Sequence, residues 1–179
     1  TATAAQFEAL TGFADAAADT ITAVITDMVG NSTTGTVSAT VLTIDQTLPT
    51  ITSTTPSTDV YVNHAKVSYT LSEAIASGTI TWTRTGGTED SNSPHTKSLT
   101  GDELNSGAHT DIALTNNPTL VDAAIYTVSF DAVDLAGNSS TTVSATGVTY
   151  DVTKPTITPP SKGSSTEDLD YQNVSTTLI

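Results

Sequence analysis

Residues 126–138, YTVSFDAVDLAGN, place Tyr126, Val128, Phe130 and Ala132 on one face and Thr127, Ser129, Asp131 and Val133 on the other. That period of two is the pattern of a half-buried strand. Asp134-Leu-Ala-Gly-Asn138 closes the strand as a turn, with Gly137 and Asn138 the residues that tolerate positive φ. Val143 to Tyr150 reads as the return strand, so the stretch predicts a hairpin with an oxygen-rich tip.

The hairpin occurs twice. Asp15-Ala-Ala returns as Asp122-Ala-Ala, and Asp27-Met-Val-Gly-Asn31 as Asp134-Leu-Ala-Gly-Asn138, both at an offset of 107 residues. After the turn one residue is dropped, and DQTLPTIT from Asp45 matches DVTKPTIT from Asp151 at an offset of 106. Val67-Ser-Tyr-Thr-Leu71 is echoed by Val174-Ser-Thr-Thr-Leu178. A repeat of this length predicts a tandem array. Residues 1–47 form the C-terminal part of one unit, 48–153 a complete unit, and 154–179 the N-terminal part of a third.

Composition narrows the class. A chain of 179 residues with 36% hydrophobic residues, 5% aromatic residues and abundant Thr and Ser fits a strand-rich protein, because β-branched side chains suit a pleated surface. The absence of Cys excludes disulfides, thiol catalysis and zinc ribbons. No run reaches the roughly 18 apolar residues of a membrane helix, and no leader precedes Thr1, so a fragment or processed product is expected. A net charge of −14 argues against nucleic acid, whose phosphates reward Lys and Arg. It also implies self-repulsion unless cations intervene.

In the complete unit, strands are expected at Ile51–Ser53, with Val60–Val62 as a continuation, and at Lys66–Ser72 and Gly78–Arg84. Lys97–Leu99, Asp111–Leu114 and the hairpin complete about seven. Trp82 on the third strand suits a sandwich core. Thr20–Asp27, with Ile21, Ala23 and Ile25 inward, and Gly35–Ile44 are expected to repeat the hairpin in the first unit. The fold class is all-β: tandem immunoglobulin-like β-sandwiches with turns every 8 to 12 residues.

The F-x-A-x-D-x-A-G-N hairpin, Ser72-Glu73-Ala74 after the second strand, and the linker residues Asp151, Thr153 and Pro155 resemble the bacterial immunoglobulin-like repeats of large cell-surface adhesins. The resemblance implies a non-enzymatic structural module of an extracellular adhesin or fibre, and for the extender type it implies Ca²⁺ at domain junctions. In a seven-strand sandwich the loop after the second strand and the last hairpin tip share the pole where the preceding domain arrives. Asp45, Glu73, Asp134 and Asn138 are therefore expected at one junction, with Asp27 and Asn31 serving a preceding unit and Asp151 a following one. Calcium takes 6 to 8 oxygens at about 2.3–2.6 Å, which carboxylates, amides and loop carbonyls supply.

Catalytic patterns are missing. His64, His95 and His109 read as solvent-exposed loop residues with no shared face, and no Gly-x-Ser-x-Gly elbow appears. An isopeptide from Lys66 lacks a fixed acid partner. A carbohydrate-binding sandwich is the alternative, although most Tyr residues fall at inward parity, and any surface glycan is expected to meet the parent protein elsewhere. The expected partners are neighbouring repeats, or identical subunits joined head to tail through Val174–Ile179 into a filament, without membrane insertion.

Overall fold

The structure is a computed structural model and describes residues 14–39, 41–113 and 118–157. Residues 51–150 fold as a β-sandwich. One sheet holds β5 (Ile51–Thr55), β7 (Val67–Leu71) and β10 (Gly107–Ile112), antiparallel with β7 in the middle. The other has the order β6 (Tyr61–Val62), β12 (Val143–Tyr150), β11 (Ala124–Asp134), β8 (Ile75–Gly87) and β9 (His95–Ser98). A 3₁₀ turn at Gly101–Leu104 connects β9 to β10.

Periodicity explains the long central pair. Along β11 every second residue from Ala124 to Asp134 is buried, and its register sets Val128 opposite Trp82 and Phe130 opposite Ile80 on β8. Val67, Tyr69 and Leu71 of β7 supply the facing layer. The Trp82 and Tyr126 rings pack edge to face, with centroids 6.0 Å apart at 77°, and Tyr69 and Phe130 are tilted, 6.4 Å apart at 52°. Such pairs add to simple area burial.

The structure corrects several expectations. β8 runs well beyond Gly78–Arg84 at both ends, and the strand expected at Asp111–Leu114 is β10, which begins at Gly107. Tyr61–Val62 does not continue β5. Pro56 has no N–H to offer the ladder, and the chain crosses to the other sheet, where β6 pairs parallel with β12. Lys66 is a solvent-side residue 3.7 Å from Asp111, both exposed, not a buried amine placed for an isopeptide. His109 lies on β10 and stacks on Tyr69 at 4.8 Å.

His95 is the largest departure from the expected loop histidines. It lies on β9 with a side chain only 12% exposed, and its Nε2 is 2.6 Å from Oδ2 of buried Asp90. The Tyr126 hydroxyl donates to the same oxygen at 2.7 Å and accepts the Val121 N–H at 2.9 Å. A tyrosine near the start of this strand bonding back to the preceding corner is a feature of immunoglobulin-type sandwiches. Burial pushes the Tyr126 phenol up to about 12, with Asp90 adding and the Val121 N–H opposing. Burial, then the charge of Glu103, also raises Tyr69 well above its usual value.

A folded-state pKa above the unfolded value of about 10 gives stability that is present below that pH and lost as pH rises through the folded value. The urea midpoint is therefore expected to fall between about pH 10 and about pH 12, and Tyr126→Phe is expected to reduce that fall. An alkaline limb identical in the variant would refute this assignment.

The amino-terminal side repeats the turn but not the sandwich. β1 (Ala18–Asp19) pairs with β4 (Leu42–Thr43), and β2 (Val24–Thr26) pairs with β3 (Ser32–Thr34). Ile21 is 49% and Ile25 69% exposed, so the expected inward face is open, and the return strand expected at Gly35–Ile44 is not continuous. In the complete unit the equivalent strand is flanked by β8 in its own sheet and its inner face is covered by β7 of the other, and no such strands accompany β2 among the described residues. Thr1–Phe13 and the echoed segment Val174–Ile179 lie outside the described residues.

Candidate metal centre at the linker

The tip of the β11 hairpin is built around one carboxylate. Asp134, 1% exposed, accepts at Oδ1 the backbone N–H groups of Ala136, Gly137 and Asn138 at 2.8, 2.7 and 2.8 Å, and at Oδ2 the Asn138 side-chain amide at 2.8 Å. Gly137 sits at φ +100°, a conformation L side chains rarely adopt, which explains a glycine there. Burial pushes the Asp134 pKa up, but the donors from Asn138, Gly137 and Ala136 together outweigh it and hold the group below the usual carboxylate range.

Asn138 also reaches the incoming linker, donating from Nδ2 to the carbonyls of Asp45 at 3.0 Å and Thr47 at 3.4 Å. The linker is fixed from its other side as well. Asp15 accepts the Gln46 N–H at 2.7 Å and the Thr47 hydroxyl at 2.5 Å, and Asp45 accepts the Thr47 N–H at 3.0 Å. Downstream, Thr50 and Ser72 exchange two hydrogen bonds, which seats the residue before Glu73 against the linker.

These contacts bring Asp45, Glu73 and Asp134 together, one ligand oxygen from each lying within 4.8 Å of the others. Two oxygens on opposite sides of a calcium ion are separated by about 4.6–5.2 Å, so the cluster has the dimensions of a cation's coordination shell. Asp134 Oδ2 carries a single donor and keeps lone-pair capacity. Asn138 faces the cluster with its NH₂ group and holds the linker in place. Burial first, then the charges of Asp45, Asp134 and Asp15, raises the Glu73 pKa above its ordinary value. The ion pairs among the described residues, Lys66–Asp111 and Asp90–His95, lie elsewhere.

Asp27, Asn31 and Asp151 are not in this cluster. Asp27 and Asn31 form the same turn in the first unit, with Asp27 Oδ1 accepting the Val29 and Asn31 N–H groups and Oδ2 the Asn31 amide, all at 2.9 Å. Asp151 accepts the Thr153 N–H at 2.9 Å, as Asp45 does with Thr47. Sequence reasoning missed the roles of Asp15 and Asp122. Asp122 bonds Val152 N–H at 2.8 Å and the Thr153 hydroxyl at 2.7 Å, the same pattern that Asp15 makes one repeat earlier. Their signal is the Asp-Ala-Ala shared by the two copies, which marks the repeat but not what the carboxylates bind.

Two facing antiparallel-rich sheets, eight strands counting the short β6, and a tyrosine bonded across its corner define an immunoglobulin-like sandwich with an acidic pole. Residues 45–151 match the bacterial Ig-like domain family, and the chain belongs to that family. Its domains are generally non-enzymatic structural modules and occur in bacterial surface proteins. No curated protein matches the chain. Among the described residues no helix is long and apolar enough to cross a membrane.

Proposed function

We propose that the chain is a structural module of an extracellular bacterial adhesin or fibre whose junctions are made rigid by calcium. The observation that carries this reading is the convergence of Asp45, from the linker, with Glu73 and Asp134, from the complete unit. Three like charges so close repel, and a divalent cation converts that repulsion into a tie between linker and sandwich. A carboxylate-rich site open to extra water and carbonyl ligands suits Ca²⁺ better than Mg²⁺, which demands near-ideal octahedral geometry. Asp15 and Asn138 position the linker, and Asp122 and Asp151 prepare the next junction in the same way.

The tandem sequence repeat supports an extended array in which each complete unit carries its own core and stability is close to a sum over units. Calorimetry is expected to show Ca²⁺ binding tighter than millimolar, and solution scattering a longer maximum dimension in calcium than in chelator. Scattering profiles that superimpose, or no heat of binding, would remove calcium from the mechanism and leave a plain spacer.

A further inference from the structure

The pole opposite the acidic cluster carries a second feature. Tyr61, Val62, Asn63, His64 and Asp151 line an open cleft of about 330 Å³. We propose that this cleft binds a neutral saccharide, with Tyr61 as the stacking platform. The proposal does not rest on the calcium reading.

Tyr61 is 76% exposed, in contrast to Tyr69 and Tyr126, which are core residues. Its backbone is nevertheless fixed, since β6 is registered on β12 with Tyr61 opposite Thr149 and Val62 opposite Tyr150. Two flanking bonds, Thr149 N–H to Val60 O at 2.8 Å and Asp151 N–H to Val62 O at 2.9 Å, tie both sides of the strand. An exposed ring on a pinned backbone is a preorganised surface, which lowers the ordering cost of binding.

The polar groups suit the same ligand. His64 Nδ1 accepts the Lys66 N–H at 3.2 Å, so in the neutral ring the proton is on Nε2, which is a donor. Asn63 brings both an amide donor and an acceptor, and Asp151 brings a carboxylate held by the Thr153 N–H. One aromatic face with donors and acceptors around it matches a pyranose, which has an apolar C–H face and a rim of hydroxyls. The volume lies at the lower end of ligand sites, which fits one or two rings. Asp151 in the cleft and the net charge of −14 disfavour an anionic sugar.

The test is an amide NMR titration of the full chain with glucose, galactose, mannose and N-acetylglucosamine, with sialic acid as the charged control. At least one neutral sugar is expected to shift the signals of residues 61–64 and 151 saturably, while sialic acid leaves them in place. Tyr61→Ala is expected to abolish the response with the urea midpoint and the rest of the spectrum unchanged, because the ring is outside the core. Silence from every neutral sugar, an equal response to sialic acid, or an intact response in Tyr61→Ala overturns the proposal. Perturbation of the same residues by dilution of the protein alone would assign the cleft to a neighbouring protein unit instead and overturn it as well.

Discussion

In excess calcium the complete unit is expected to melt well above its midpoint in chelator, and in chelator Glu73→Gln is expected to melt above the parent. A ligand at a hundred times its dissociation constant stabilises the form that binds it by about 2.7 kcal/mol. Since about 1 kcal/mol moves the midpoint of a domain this size by roughly 4–8 °C, the calcium-dependent rise is on the order of 10–20 °C. The sign of the variant follows from the Glu73 carboxyl, which burial and the neighbouring charges of Asp45, Asp134 and Asp15 hold above its usual pKa. For an acid raised in the folded state, the stabilising contribution is present below the unfolded value of about 4.3 and lost as pH rises through the folded value. At neutral pH without a cation, ionised Glu73 therefore destabilises the fold. Glu73→Gln removes that charge, so its midpoint in chelator lies above that of the parent, while its gain from calcium shrinks. Thermal melts of both proteins in calcium and in chelator decide the matter. A Glu73→Gln midpoint lower than the parent in chelator, or a calcium gain undiminished by the change, would show that Glu73 is not part of a cation site.

The convergence of Asp45, Glu73 and Asp134 could be reasoned from sequence because topology does most of the work. Once the strands are placed, the loop after β7, the β11 tip and the incoming linker must share a pole. β11 itself was legible because Tyr126, Val128, Phe130 and Ala132 keep strict period two over a long strand. β6 was not, because a two-residue strand carries no period and its partner on β12 lies far along the chain. The Asp90–His95–Tyr126 network was hidden for a different reason. Asp90 sits in the polar run GGTEDSNSP, where composition says solvent, and only the closing of that loop over the end of β11 buries it. Asp15 was seen but its role was not, because the groups it binds, Gln46 N–H and the Thr47 hydroxyl, belong to another segment.

The repeat supplies an internal control for where stability resides. Ile25 occupies, one repeat earlier, the position of Ala132, and Ile21 that of Val128, yet Val128 and Ala132 are buried while Ile21 and Ile25 are largely exposed. Phe130, 2% exposed and packed against Tyr69, is expected to be costly to truncate. Phe→Ala in a well-packed core costs about 3–5 kcal/mol, a large part of the roughly 5–15 kcal/mol that holds a domain together. Phe130→Ala is thus expected to lower the urea midpoint drastically or leave the unit unfolded. Ile25→Ala removes surface that water already reaches, and exposed substitutions usually stay within about 0.5 kcal/mol of the parent. Equilibrium urea unfolding of the two variants at several protein concentrations separates the alternatives. Should Ile25→Ala prove nearly as damaging as Phe130→Ala, with a loss that grows with concentration, the open face of β2 is covered in solution by another copy, and stability is shared between subunits. An Ile25→Ala midpoint that matches the parent at every concentration places the stability in the sandwich of residues 51–150, as the burial pattern indicates.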